Sequence, residues 1–360
     1  MKLENFFFLS GNGNHNLGYK ILNTVSELMG NKLSFSHINY NNYLDGEPDN
    51  RIVSYKEIEN KTVVFYQSMY NQELMNEALD FIAAVKHQYK ARYVIAIFPF
   101  LYGRRQDPIM NENEKDEPWS KKIAKPDEIQ RLENHIRLLK TVGVNEMMVA
   151  TPHSSKMAKL CDQYEIIFHE IDPSPLFAKT IRTFIPDEDI ELYSPDLGSL
   201  QRATKLASIL RCPIIFNEKK RLKNNTISIV ENNTTNSQEL ENELRKYYNF
   251  PDIHCITPEL ISEKNIIIVE DEVSSGSTAN NTGLMLREKK AKSIMLFATH
   301  PVLTDGWRNQ LFLSNPFTKI VMTDTIDRGY KKRTGGLITD VSVASLFGSS
   351  LFKLLNKLEK

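Results

Sequence analysis

Short apolar runs recur along this chain, and the stretches between them carry apolar residues three and four positions apart. The runs are FFFLS (6–10), TVVFYQ (62–67), YVIAIFPF (93–100), EMMVATPH (146–153), IELYSPD (190–196), PIIFNEK (213–219), IIIVED (266–271), SIMLFATH (293–300) and KIVMTDT (319–325). Helical spacing marks Gln72–Gln88, Asp127–Val142, Leu200–Leu210 and Asn280–Lys289. Strand-like and helix-like segments in alternation predict β-α-β repetition, hence an α/β protein with mainly parallel sheets. The pattern occurs twice, one half ending near His153 and the other beginning near Pro173, which predicts two similar domains in tandem. Asn111–Lys125 and Lys223–Glu239 are polar and read as loops.

One stretch, NIIIVEDEVSSGSTANNTGLML (265–286), concentrates the chemistry. Ile266–Val269 is β-branched throughout, as expected of a strand buried on both faces of a parallel sheet. Glu270 and Asp271 would follow at its carboxyl end, where open α/β sheets bind ligands. A helix starting after Ser277-Thr278 would present unpaired backbone N–H groups to an anion. Ser274, Ser275 and Thr278 would add hydroxyls, and Gly276 would let the backbone approach closely. The two carboxylates could accept hydrogen bonds from sugar hydroxyls or share Mg²⁺ with phosphates. The plainer alternative is an acidic strand end followed by a Ser/Thr-capped helix.

Composition narrows the class. With 360 residues, 41% hydrophobic and 25% charged, the chain has the make-up of a globular protein with room for two cores. Lys plus Arg and Asp plus Glu both number 45, so no basic excess argues for nucleic acid. Cys161, Cys212 and Cys255 form no CxxC pair, which predicts neither a disulfide framework nor a zinc site and suits a reducing cytoplasm. No 18-residue apolar segment predicts a membrane span, and the opening FFFLS reads as a first strand and not a signal.

Val269–Thr278 resembles the ribose-phosphate loop of type I phosphoribosyltransferases and of their relatives, the ribose-phosphate pyrophosphokinases. The second family is favoured by further matches in common order over most of the chain. FFFLSGNGN is similar to its opening strand and turn, and Tyr43-Leu44-Asp45-Gly46-Glu47 to its Phe-Ser-Asp-Gly-Glu segment. Phe98–Asp107 resembles its Pro-Tyr…Tyr-Ala-Arg-Gln-Asp stretch, and Thr151-Pro152-His153 stands where it has Asp-Leu-His. Ser194–Gly198 with Arg202-Ala203 resembles Ser-Pro-Asp-x-Gly…Arg-Ala, and Glu218-Lys219-Lys220-Arg221 resembles Asp-Lys-Arg-Arg. Ala298-Thr299-His300 and Thr323–Ile326 complete the series.

The resemblance implies two tandem type I phosphoribosyltransferase-like domains: 1–165 on the ATP side, with a C-terminal helix in 337–360 packing back on it, and 166–336 for ribose 5-phosphate. It implies transfer of the pyrophosphoryl group of ATP to the 1-hydroxyl of ribose 5-phosphate, with Mg²⁺ as cofactor. Lys219 and Arg221 fall at the family's catalytic basic pair. In an extended chain they would point the same way and could clamp the moving phosphoryl oxygens. Tyr43, Asp45, Glu47, Arg105, Gln106, Asp107 and His153 fall at ATP-binding positions. Asp196, Glu270, Asp271, Ser274, Ser275, Gly276, Ser277 and Thr278 fall at ribose-5-phosphate positions, and His153 and Asp196 at metal positions. A homo-oligomer, dimer or hexamer, with the ATP site near a subunit interface is implied as well.

The match has departures. Glu270 replaces the first of two aspartates, Ser274 stands where the family carries Asp, Thr151 replaces another Asp, and Pro108 follows Arg-Gln-Asp. These changes leave open a second class, a synthetase-like regulatory subunit that binds nucleotide without turnover. A phosphoribosyltransferase would explain Val269–Thr278 alone and leave Lys219 and Arg221 without a role.

Overall fold

The computed structural model describes residues 3–107, 127–186, 189–217, 219–221, 227–229, 235–313, 315–329 and 334–359. The predicted loop Asn111–Lys125 lies outside them. The chain is α/β, with two parallel sheets of five and seven strands flanked by helices, and it divides into two compact units.

The first unit comprises Met1–Asp172, Thr325–Asp327 and Ser342–Lys360. Strand β1 (Phe6–Ser10) leads to helix α1 (His15–Met29) and a small antiparallel pair, β2 (Ile38–Asn39) and β3 (Arg51–Ile52). Then follow β4 (Thr62–Tyr66), α2 (Gln72–Ala83), β5 (Tyr93–Phe98), α3 (Arg131–Val142), β6 (Glu146–Ala150), α4 (Lys156–Gln163) and β7 (Ile167–Ile171). The sheet order is β1-β4-β5-β6-β7, all parallel, so neighbours in space follow one another in sequence. Phe7, Phe65, Val94 and Met147 pack with Met75 of α2, Ile136 of α3 and Leu160 of α4 in one buried core. Burying such a side chain contributes about 1.5–3 kcal/mol each.

Residues of α1 bury at helical spacing: Leu17, Ile21, Leu22 and Val25. Its first turn is capped by Asn14, whose Oδ1 accepts from the Leu17 N–H at 3.3 Å. The helix lies so close to β4 that a Cβ on Gly18 would come within 2.7 Å of the Tyr66 ring. The Tyr66 hydroxyl in turn donates to the Asn14 carbonyl oxygen at 2.9 Å.

The second unit comprises Pro173–Asp324 and Arg328–Val341. Its elements run α5 (Ser174–Phe184), β8 (Ile190–Ser194), α6 (Leu200–Leu210), β9 (Ile214–Phe216), β10 (Lys219–Arg221), β11 (Ile227–Ile229), α7 (Thr235–Tyr248), β12 (Ile253–Cys255) and α8 (Pro258–Ile261). They continue with β13 (Asn265–Val273), α9 (Ser277–Glu288), β14 (Ser293–Pro301), α10 (Trp307–Phe312), β15 (Lys319–Thr323) and β16 (Ile338–Val341). The large sheet is parallel in the order β12-β9-β8-β13-β14-β15-β16. Ile266, Ile267 and Ile268 are wholly buried, as expected of a central strand.

The segment Lys223–Glu239 is not simply a loop: β11 and the start of α7 fall within it. Its Asn- and Thr-rich composition hides a three-residue strand that pairs with the equally short β10. The run read as a strand from Pro213 to Lys219 is strand over Ile214–Phe216 in the large sheet, where the Asn217 N–H still donates to the Ser194 carbonyl oxygen at 3.3 Å, and strand again at Lys219 in β10.

The last helix, α11 (Ala344–Leu358), returns to the first unit and packs along α1. A Cβ on Gly348 would sit 2.6 Å from the Thr24 Cβ and 3.1 Å from the Ile21 carbonyl oxygen, so only glycine permits this approach. No helix among the described residues is long and apolar enough to cross a membrane.

Two expectations follow. Gly348→Ala should lower stability by about 1–3 kcal/mol despite its gain in helix propensity, and Thr24→Gly added to it should recover part of the loss in denaturant melts. A Gly348→Ala chain as stable as the wild type contradicts the close approach. In the second unit, Glu191 of β8 is buried with its Oε1 3.8 Å from Lys264 Nζ. Burial pushes its carboxyl above the usual range, against the pull of Lys264. The native state thus holds this proton more tightly than the unfolded chain, and stability falls as pH rises from the unfolded value through the folded one. Wild type should gain on Glu191→Gln as pH falls from about 7 to about 5 in parallel thermal melts. A difference that stays flat over that range contradicts it.

Candidate functional site

Strand order reverses in the second unit. From β8 the chain winds outward through β9 to β12, whereas from β13 it winds the other way through β14, β15 and β16. The loops after β8 and β13 therefore leave the sheet in opposite directions and open a crevice at the strands' carboxyl ends, where open α/β sheets bind ligands. Pairing of β13 with β8 ends at Ile268 opposite Tyr193, while its pairing with β14 continues to Val273 opposite Pro301. Glu270–Val273 thus extends past the end of β8 as part of the strand, two residues longer than the apolar run suggested.

Asp271 is 5% exposed, and its Oδ1 lies 3.8 Å from Nη2 of Arg202 in the first turn of α6. That ion pair bridges the two sides of the crevice. Glu270 and Glu272 on either side are half-buried. Beyond them, α9 begins at Ser277 with Gly276 as its cap residue. Gly276 has φ +84, and a Cβ there would come within 2.9 Å of Leu311 in α10, so conformation and space both demand glycine. Ser275 Oγ lies 2.9 Å from Ser277 Oγ and accepts from the Ser277 N–H at 3.4 Å. Ser274, Ser275 and Ser277 are half-buried and Thr278 is exposed. Val273 and Ser274 are held from the far side, their carbonyl oxygens accepting from the N–H groups of Leu303 (2.9 Å) and Thr304 (3.2 Å). The result is a fixed turn with hydroxyls and a helix amino end, suited to an anion.

Across the crevice, Asp196 is exposed and caps the short turn Leu197–Ser199, its Oδ1 accepting from the Ser199 N–H at 3.0 Å. The Ser194 hydroxyl donates to the Asp196 carbonyl oxygen at 2.9 Å and lies 2.5 Å from Ser199 Oγ. Lys219 and Arg221 lie on β10, antiparallel to β11 with Lys219 opposite Ile229 and Arg221 opposite Ile227. Their side chains fall outside the described part of the structure. The backbone places both on a ribbon that starts three residues after β9 ends, so the basic segment follows directly from a strand flanking β8.

In the first unit, the loop after β5 meets the loop after β6. Asp107 accepts a short hydrogen bond from the Ser154 hydroxyl, and Gln106 Oε1 accepts from Arg131 Nε at 3.1 Å. Arg105 is exposed and His153 is half-buried in the same loop pair. Thr151, which opens the second loop, is buried with φ +37, a conformation that costs a β-branched residue about 1–3 kcal/mol. Tyr43, Asp45 and Glu47 form an exposed turn elsewhere in the unit. The Tyr43 N–H donates to the Glu47 carbonyl oxygen at 2.8 Å, the Gly46 N–H to the Tyr43 carbonyl oxygen at 3.0 Å, and the Glu47 N–H to Asp45 Oδ1 at 3.1 Å. His153 and Asp196 belong to different compact units. Among the described residues, no three His, Cys, Asp or Glu side chains gather closely enough to hold a metal ion.

The sequence motifs assign no role of its own to Arg202, which enters only with Ala203 in the match to Ser-Pro-Asp-x-Gly…Arg-Ala, and none to Arg104. Arg104 proves to be buried. A charge on a turn reads as solvated, and no local pattern signals otherwise.

Comparison with known proteins follows this division. A model of the phosphoribosyl transferase domain matches residues 170–306. The ribose-phosphate pyrophosphokinase of Porphyromonas gingivalis is 25% identical over 354 residues, covering 97% of this chain and 94% of that protein. That of Fusobacterium nucleatum is 26% identical over 368 aligned positions, covering 99% and 97%. The crystal structure of phosphoribosylpyrophosphate synthetase from Mycobacterium smegmatis covers 98% of this chain and 99% of its own, with a TM-score of 0.72 at 20% identity, a likeness of fold. Two parallel sheets, a match to the phosphoribosyl transferase domain over 170–306 and relatives aligned nearly end to end agree: over almost its whole length the chain is similar to the ribose-phosphate pyrophosphokinases.

Proposed function

We propose that the chain is a ribose-phosphate diphosphokinase, forming phosphoribosyl pyrophosphate and AMP from ATP and ribose 5-phosphate. The observation that carries this reading is the strand-order reversal in the second unit, where the Ser274–Thr278 turn, buried Asp271 and the loop of Asp196 converge. Ribose 5-phosphate would place its phosphate on Ser274–Thr278 at the start of α9 and its ring hydroxyls against Glu270, Asp271 and Asp196. ATP would take Arg105, Gln106, Asp107 and His153, with Tyr43, Asp45 and Glu47 of a neighbouring subunit in a homo-oligomer. The exposure of that turn, with Leu44 wholly in solvent, supports the last assignment.

In the reaction the 1-hydroxyl oxygen of the sugar attacks the β-phosphorus of ATP. The bond from that phosphorus to the α,β-bridging oxygen breaks, AMP leaves with the oxygen, and the hydroxyl proton passes to solvent. Catalysis of such a transfer is largely positioning and charge stabilisation. Lys219 and Arg221 would supply the cations at the moving group. Mg²⁺ would neutralise phosphate charge while keeping most of its waters and leaning on substrate phosphates, and the family resemblance makes His153 and Asp196 its candidate protein ligands.

The replacement of two family acids by Thr151 and Ser274 favours one other reading, a subunit that binds nucleotide without turning it over. One assay separates the two. AMP release from MgATP should depend on ribose 5-phosphate and should fall by about 10²–10³-fold or more in Lys219→Ala with the thermal midpoint unchanged. No sugar-dependent AMP from folded protein that binds MgATP would overturn the enzyme reading in favour of the regulatory one.

A further inference from the structure

Arg104 is the largest fully buried side chain described, 1% exposed. A guanidinium removed from water is costly unless its charge and its donors are met. Arg104 meets Phe100, with its guanidinium carbon 5.0 Å from the ring centroid, and donates through Nη1 to the Thr151 carbonyl oxygen at 3.4 Å. Phe100 precedes it in the loop after β5, whereas Thr151 opens the loop after β6. Three residues on, the same two loops are tied again where the Ser154 hydroxyl donates to Asp107. Arg105 and Gln106 lie between the ties on one loop, and His153 lies between them on the other.

We propose that Arg104 is a positioning residue for a nucleoside triphosphate: it pins the two loops into one rim and so fixes Arg105, Gln106 and His153 in the arrangement that receives the phosphates. The inference rests on the proposed function, from which it takes the assignment of those three residues to ATP. Two short loops that must be ordered on binding lose affinity to that ordering, and a buried pin removes the loss beforehand. The left-handed backbone at Thr151 belongs to the same device, because it is held by the sheet on one side, through its N–H to the Ile171 carbonyl oxygen at 3.3 Å, and by Arg104 on the other.

The test is calorimetric titration of the full chain with MgATP and, separately, with ribose 5-phosphate, beside thermal melts, for wild type, Arg104→Met, Arg104→Lys and Phe100→Leu. Arg104→Met should weaken MgATP binding about tenfold or more while ribose 5-phosphate binding stays within about twofold. Arg104→Lys keeps the charge without the planar fork and should recover part of the loss. A role confined to stability would lower the midpoint and leave both affinities of the folded protein unchanged. A folded Arg104→Met chain that binds MgATP as tightly as wild type overturns the proposal. If Arg104→Met does not fold, Phe100→Leu decides: weaker MgATP binding supports the pin, and unchanged binding overturns it. Wild type that binds no MgATP at all would instead sink the proposed function, and this inference with it.

Discussion

The reversal of winding between β8 and β13 is the constraint on which the second unit depends. Both strands are parallel and largely buried, and apart from Glu191 of β8 their charged residues fall at or beyond the carboxyl ends. There the chain leaves β8 through Asp196 and β13 through Ser274, in opposite directions. Neither loop fills the space above the other strand. A crevice results from topology, and the residues at its lip are the ones with hydroxyls, carboxylates and a helix amino end.

Electrostatics then sharpen the crevice. Asp271 would be expensive to bury alone, and Arg202 lies 3.8 Å away on the opposite side. Gly276 admits α10 against the turn, which fixes the amino end of α9. The first unit has no such reversal: its strands lie in sequence order, and its candidate residues gather where the loops of two adjacent strands are tied together.

Much of this was legible in the sequence, and each failure has a physical cause. The nine apolar runs correspond to interior strands and one edge, because burial on both faces enforces unbroken apolar stretches. The strands of the two large sheets that the pattern missed, β7, β12 and β16, all lie at sheet edges, where one side meets solvent and the apolar run is broken by residues such as His169, Glu170 and His254. Ser274–Thr278 could be read as an anion turn because hydroxyls and glycine before a helix have few other uses in that order. Arg104 could not be read at all, since its burial is set by Phe100 and by Thr151, 47 residues later. The segment 223–239 misled for the opposite reason, its polar composition concealing β11 and the start of α7.

The central claim is that the turn after β13 receives the phosphate of a phosphosugar. The first N–H groups of α9 have no partners within the helix, that of Ser277 having only the 3.4 Å bond to Ser275 Oγ, so they should exchange faster without a ligand than with one accepting from them. Amide hydrogen exchange of the full chain, alone, with ribose and with ribose 5-phosphate, tests this directly. The account predicts slower exchange over 275–279 with ribose 5-phosphate and none of that slowing with ribose. Exchange there that is unchanged by ribose 5-phosphate, with protection arising elsewhere, would contradict it.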